Sequence, residues 1–132
     1  MPEIRAPEPP PRTPAADGDD QIAIVAGTPA PGQVVIQVGG EVDMLTSPQL
    51  RRVVLDRLGE DPELVVLALD GVTFLGTSGL AVLIEVREAA HTAGVELRLA
   101  CTQRRVLRPL AIAGLISLFD IHDTLELALA RT

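Results

Sequence analysis

Two adjacent hydroxyl side chains, Thr77 and Ser78, lie between glycines in the segment Gly76-Thr77-Ser78-Gly79. The segment follows an apolar run typical of a buried strand and precedes a run with helical spacing. Such a turn places the hydroxyls at a helix N-terminus, where free backbone N–H groups and the helix dipole favour a phosphate group. The glycines leave little bulk, so another protein's backbone could approach closely. On the residues alone, the turn is compatible with a phosphoryl acceptor and a protein-docking site.

Two other interpretations of the hydroxyl pair stay open on the residues alone. Ser and Thr are preferred N-cap residues, so either side chain could cap the helix. A hydrolase nucleophile turn would read Gly-x-Ser-x-Gly, but Leu80 stands where its second glycine is needed. A catalytic triad also needs a nearby His, and His91 falls late on the predicted helix. We therefore predict that the chain is not an enzyme and has no catalytic residues.

The residue types that hold metals are sparse. His91 and His122 are the only histidines, and the single cysteine, Cys101, is at ligand spacing to neither. No disulfide, zinc site or other cofactor is predicted. Cys101 ends a predicted strand, and we interpret it as a small core residue.

The elements that must position the turn alternate between strand and helix patterns. The apolar run Leu64 to Leu69 indicates a strand buried on both faces, ending at Asp70-Gly71. The helix after the turn is predicted to begin near Ser78 or Gly79. Strands are predicted at 22–26, 34–38, 64–69, 95–99 and 118–121, and helices at 47–58, 78–93, 103–113 and 124–130. This alternation predicts an α/β fold with a mixed, mostly parallel sheet of about five strands, an antiparallel edge hairpin and about four helices.

Local signals define the ends of three helices. Thr46 with Gln49 forms a predicted capping box, and Asp123 with Glu126 is predicted to cap the last helix. Pro109 lacks a backbone N–H and should kink or shorten the third helix.

Composition narrows the classes of function. The 132-residue chain is 47% hydrophobic but 2% aromatic, and its net charge of −7 disfavours binding to nucleic acids or anionic membranes. Six prolines fall within the first 14 residues, and three aspartates follow by position 20. Residues 1–20 are therefore predicted to be a disordered tail, and residues 21–132 one domain. The N-terminus does not resemble a secretory signal and no apolar run reaches about 20 residues, so a cytoplasmic location is expected.

Three segments resemble the STAS domain family of bacterial anti-sigma factor antagonists. The first is Gly40-Glu41-Val42-Asp43, which resembles the family's Gly-Glu-Leu-Asp turn. The second runs from Leu69 to Leu80 and contains the hydroxyl pair. The third covers residues 114–129 and resembles the family's closing strand and helix. The resemblance spans about residues 21 to 130, and it implies a STAS-like fold.

The resemblance also implies a phosphorylation-controlled switch of binding partners. Thr77 would be the residue phosphorylated by an ATP-using anti-sigma factor kinase, with Ser78 as the second choice. The unmodified antagonist would bind the kinase and free the sigma factor, and a metal-dependent serine/threonine phosphatase would reset the modified form. Gly76 replaces the family's usual Asp, and Thr77 its usual Ser. An alternative is a STAS module that is not phosphorylated and serves as a scaffold, sensor or transport accessory.

Several other polar residues have two interpretations. By the resemblance, Glu41 and Asp43 help to form the docking surface together with residues 76–79, or they are simple turn acids. Asp70 is predicted to hydrogen-bond backbone in the turn that follows the buried strand. A basic group indicates a solvated helix face or a contact with an acidic partner, and it consists of Arg104, Arg105 and Arg108.

Overall fold

The computed structural model describes residues 22–130, so the predicted tail at residues 1–20 lies outside the described part. Five strands and four helices alternate along the chain. The strands are β1 (Ile22–Gly27), β2 (Gln33–Val42), β3 (Leu64–Leu75), β4 (Glu96–Ala100) and β5 (Asp120–His122). The helices are α1 (Ser47–Leu58), α2 (Thr77–Ala93), α3 (Arg104–Ile112) and α4 (Leu125–Leu129), with a 3-10 turn at Ile116–Leu118.

The strands form one sheet in the order β1-β2-β3-β4-β5. The β1–β2 pair is antiparallel, with Ile22 opposite Gly40, and the other three pairs are parallel. The predicted mixed sheet with an antiparallel edge hairpin is therefore confirmed. Because β2 and β3 run in the same direction, their C-terminal ends reach the same edge of the sheet, where Val42 is opposite Leu75.

The core has two unequal layers. Buried residues of α1, α2 and α3 pack with Ile36, Leu67 and Leu99 on one face of the sheet. On the other face, Ala128 of α4 packs with a smaller cluster that includes Val66. Leu67 and Val66 are both fully buried, as expected for a strand covered on both sides. Right-handed β-α-β connections place the first three helices on the same face.

Strand β3 is longer than its sequence predicts. It continues through Asp70-Gly71 to Leu75, so the prediction that it ends at Asp70-Gly71 was wrong. The extension stays paired because Gly71 is opposite Gly39 of β2 and the register then shifts. Bulges of this kind bend a strand and change the direction in which its end points. The extended end of β3 carries the turn at residues 76–79 beyond the rest of the sheet.

Three predictions about element ends also needed correction. The Thr46 side chain does not cap α1, and Pro48 lies in the first turn of that helix. At α4 the cap is Thr124 and not Asp123, because the Leu127 N–H donates to Thr124 Oγ1 at 3.0 Å. The last strand begins at Asp120, since residues 116–118 form the 3-10 turn. Helix α3 runs through Pro109 and ends three residues later.

Candidate functional site

Helix α2 begins at Thr77, one residue before the predicted start. Gly76 is its N-cap residue, in an extended conformation with ψ 179°, and no side chain caps the helix. The first helical hydrogen bond runs from the Leu80 N–H to the Gly76 carbonyl at 3.0 Å. The interpretation of Thr77 or Ser78 as a helix cap was therefore wrong, and neither hydroxyl is engaged in that role.

The two hydroxyl residues differ in exposure. Thr77 is exposed, Ser78 is half-buried and Gly79 is buried. Thr77 occupies the first position of α2, where backbone N–H groups have no partner within the helix. An added phosphate at this position would therefore meet a favourable helix dipole and open solvent.

The turn is held in place by the neighbouring strand. The Gly76 N–H donates to the Val42 carbonyl at 2.9 Å, which ties the start of α2 to the end of β2. Gly79 then passes so close to β2 that a Cβ on it would lie 2.7 Å from Val42 Cγ1. The position of Thr77 is therefore set by the Gly76 hydrogen bond before it and by the close packing of Gly79 after it.

Gly76 faces the aromatic ring that precedes it. A Cβ built on Gly76 would lie 3.0 Å from Phe74 Cε2, so the ring occupies space that a side chain at position 76 would need. The Phe74 side chain is 52% exposed. Thr77 therefore directly follows a glycine that is covered by a half-exposed aromatic ring.

The loop between β2 and α1 lies at the same edge of the sheet, and Asp43 organises it. The Leu45 and Thr46 N–H groups donate to Asp43 Oδ1 at 2.9 and 3.0 Å. The Asp43 N–H donates in return to Thr46 Oγ1 at 2.9 Å, and that hydroxyl donates to the Glu41 carbonyl at 2.7 Å. One oxygen of the Asp43 carboxylate is therefore used within the loop, whereas the Glu41 side chain is exposed.

This loop also presents two apolar side chains that sequence analysis missed. Met44 is 76% exposed and Leu45 is 78% exposed. The sequence signal was their position between Asp43 and Thr46, two residues that often bond to nearby backbone and so define a loop. Sequence analysis usually assigns apolar residues to the core, so the exposure of Met44 and Leu45 was not predicted.

The remaining candidate residues lie apart from the turn. Asp70 Oδ1 accepts hydrogen bonds from the Thr102 and Gln103 N–H groups at 2.8 and 3.4 Å. Asp70 therefore bonds to backbone as predicted, but this backbone belongs to the loop before α3 and not to the turn after the buried strand. Cys101 is buried, as predicted for a core residue. Burial raises the pKa of its thiol from 9.0 to about 11.

His122 and His91 are not joined with other ligating residues into a site. Between residues 22 and 130, no group of three or more His, Cys, Asp or Glu side chains is arranged to hold a metal ion. Among the same residues, no helix has the length and apolar character that a membrane span requires.

Comparison with known proteins decides the family. A sequence model described as "STAS domain" matches residues 24–128, which is most of the chain. The chain belongs to the STAS domain family. The anti-sigma-F factor antagonist RsfB of Mycobacterium tuberculosis is 32% identical to this STAS domain over 101 residues, covering 74% of this chain and 80% of RsfB.

Solved structures agree with this assignment. An anti-sigma factor antagonist from Mycobacterium paratuberculosis superposes on this STAS domain with a TM-score of 0.77 at 28% identity, over 86% of this chain and 95% of that one. SpoIIAA of Bacillus, solved in its phosphorylated form, gives a TM-score of 0.63 at 17% identity over 80% of this chain and 96% of that one. The SpoIIAA match supports the fold alone.

Proposed function

We propose that this STAS domain is an anti-sigma factor antagonist that is switched by phosphorylation of Thr77. Its unmodified form binds an ATP-using anti-sigma factor kinase and so frees a sigma factor in the cytoplasm. A metal-dependent serine/threonine phosphatase restores the unmodified form. The observation that carries the proposal is an exposed hydroxyl residue at the first position of α2, beside a hydrogen-bonded loop with exposed apolar side chains. Relatives named as anti-sigma factor antagonists support the choice of partner.

Charge explains how the switch would work without refolding. A phosphate adds a charge of about −1.5 to −2 at neutral pH. At the N-terminus of α2 this charge is compatible with the helix. In a protein interface the phosphate would lose water beside the apolar ring of Phe74, and that desolvation is strongly unfavourable. Phosphorylation would therefore expel the partner while the fold stays intact.

Exposure favours Thr77 over Ser78 as the acceptor. Ser78 is half-buried, so a kinase would reach it less easily. Glu41, Gly76 and Gly79 would border the docking surface, with Asp43 acting at least through the loop that it organises. No residue in this proposal is catalytic, because the transferred phosphoryl group comes from the kinase's ATP.

One experiment tests the switch directly. The protein is incubated with ATP and the candidate anti-sigma factor kinase, and the phosphorylated residue is located by mass spectrometry. We expect modification at Thr77, its loss in Thr77→Ala, and binding by Thr77→Ala close to that of wild type. Thr77→Glu should bind at least tenfold more weakly. Unchanged binding by Thr77→Glu, or phosphate found only at Thr46 or Thr124, would contradict the proposal.

A second candidate function follows from Gly76. The family's usual Asp is missing there, and the Phe74 ring lies 3.0 Å from the position that the Cβ of such a side chain would take. This arrangement favours a STAS module that binds a partner without being phosphorylated, as a scaffold, sensor or transport accessory. Binding of the kinase without any phosphate transfer to Thr77 or Ser78 would identify this alternative.

A further inference from the structure

The tip of the β2–α1 loop consists of two apolar residues, Met44 and Leu45. Both side chains are more than three-quarters exposed, and neither packs with the core clusters among the described residues. Single exposed apolar residues are common on protein surfaces. Two large ones side by side on a loop beside a predicted docking turn call for a more specific explanation.

Hydrogen bonds within the β2–α1 loop order it in the absence of a partner. Asp43 Oδ1, Thr46 Oγ1 and the Glu41 carbonyl form a closed set of hydrogen bonds of 2.7 to 3.0 Å around the tip. The Ser47 N–H adds a bond to the Asp43 carbonyl at 2.8 Å. A contact surface that is ordered in advance loses less entropy on binding, so its apolar side chains contribute more to affinity.

The same loop is coupled to the phosphorylation turn through one short segment. Val42, which immediately precedes Asp43, accepts the hydrogen bond from the Gly76 N–H and lies opposite Leu75 in the sheet. A partner that buries the loop tip would therefore lie beside Thr77, where a new phosphate must lose water. In this arrangement Met44 and Leu45 would provide the affinity for the partner, and phosphorylation of Thr77 would control it.

Charge around the tip defines the partner's chemistry. Residues 39–49 contain Glu41 and Asp43 but no Lys or Arg. The Glu41 side chain is exposed, and it takes part in none of the ion pairs found between residues 22 and 130. An apolar pocket with a cation at its rim would match both the tip and this carboxylate.

We propose that Met44 and Leu45 are the apolar anchors of this protein, inserted into a pocket of the anti-sigma factor whose rim carries a Lys or Arg facing Glu41. Thr46 is a positioning residue that holds the tip in its binding conformation. The inference rests on the proposed function, because it assigns the binding energy of the same docking surface.

The test measures binding of the anti-sigma factor by titration calorimetry with single substitutions at the tip. Leu45→Ser and Met44→Ser should each weaken binding about tenfold or more, as is typical of anchor residues. Ile112→Ser is the matched control, because Ile112 of α3 is 77% exposed and lies far along the chain. The control should bind as wild type does. Glu41→Gln should weaken binding and reduce the dependence of the affinity on salt, because the charge complementarity at the rim is lost.

A double substitution tests the positioning role of Thr46. Thr46→Val keeps the size of the side chain and removes the hydroxyl that joins Asp43 to Glu41. It should weaken binding in the wild-type background and have little further effect in the Leu45→Ser background. A purely structural role would give the same loss in both backgrounds.

The outcomes separate this inference from the proposed function. In one outcome, wild type binds, Thr77→Glu does not, and Leu45→Ser and Met44→Ser bind as tightly as Ile112→Ser. The assignment of Met44 and Leu45 as anchors is then wrong, and the phosphorylation switch at Thr77 is retained. If the anchor variants lose affinity but Thr77→Glu does not, the switch is wrong and the anchors stand. Failure of the wild-type protein to bind any anti-sigma factor overturns both.

Discussion

Gly79 of α2 and Val42 of β2 approach so closely that no methyl group fits between them. A Cβ on Gly79 would lie 2.7 Å from Val42 Cγ1 and 2.7 Å from Leu75 Cδ1. Both neighbours are buried, so neither can move away freely. The glycine therefore allows the start of α2, with Thr77 on it, to lie directly against the ends of β2 and β3.

Replacing Gly79 should disturb both stability and the docking turn. We expect Gly79→Ala to lower the free energy of unfolding by about 1–3 kcal/mol, as is usual for overpacking, measured by urea denaturation. The matched control is Gly59→Ala, because Gly59 has φ −66° and its nearest neighbour to a built Cβ is 3.4 Å away. The control should change stability little. Equal effects at the two positions would contradict the close contact at Gly79.

Asp70 ties the start of α3 to the middle of β3. Its Oδ1 accepts from two consecutive backbone N–H groups, those of Thr102 and Gln103. Asp70→Ala leaves these donors without their acceptor and should lower the free energy of unfolding by about 1–3 kcal/mol. Asp70→Asn keeps an acceptor oxygen and should cost less. Chemical denaturation of both variants checks the order, and a larger loss in Asp70→Asn would exclude this role.

The fold could be predicted because its signals are local. The run Leu64 to Leu69 is typical of a strand covered on both faces, and the alternation of strand and helix patterns then indicates a parallel sheet. The extension of β3 could not be predicted, because residues 70–75 stay in the sheet only through their pairing with Gly39 to Val42. That pairing is a tertiary contact between segments more than thirty residues apart in sequence, since Gly39 pairs with Gly71.

Part of the candidate site could be predicted, because the hydroxyl pair between glycines is visible in the sequence. The hydrogen bonds that Thr46 makes within the β2–α1 loop are not visible there. Its hydroxyl bonds to the Glu41 carbonyl only because the loop folds back on itself, and this removes it from the predicted capping box. Met44 and Leu45 were missed because side-chain exposure depends on this loop conformation and not on residue type.

Cys101 should make stability sensitive to alkaline pH. Burial raises the pKa of its thiol to about 11 in the folded protein, from 9.0. Well below pH 9 the thiol is protonated in both states, so it has no effect. As the pH rises from 9 to 11 the unfolded state loses the proton first, and stability falls by about 2 kcal/mol.

The measurement for Cys101 is the pH dependence of the free energy of unfolding. Wild type should lose more stability between pH 8 and pH 11 than Cys101→Ala, whatever the difference between them at pH 8. The native thiol should also react slowly with a thiol reagent at pH 8, and rapidly after unfolding. Parallel pH profiles for the two proteins would show that the thiol does not titrate as described.

The first turn of α3 carries charges of the wrong sign for its helix dipole. Arg104 and Arg105 occupy this turn, which contains no acidic residue, and Arg108 lies four positions after Arg104. All three are exposed, and none takes part in the ion pairs described for residues 22–130. Positive charge at a helix N-terminus and like charges at i,i+4 spacing are both unfavourable.

Reversing the charge at Arg104 should therefore stabilise the protein. Glu at this position complements the helix dipole and pairs with Arg108 at i,i+4, so Arg104→Glu should raise the free energy of unfolding by about 0.5–1 kcal/mol at low salt. Arg104→Gln removes only the repulsion and should give a smaller gain. Urea denaturation at low and high salt tests both variants, because the gain should shrink as salt screens the charges. A loss of stability in Arg104→Glu would mean that the arginine makes a stabilising contact in the folded protein.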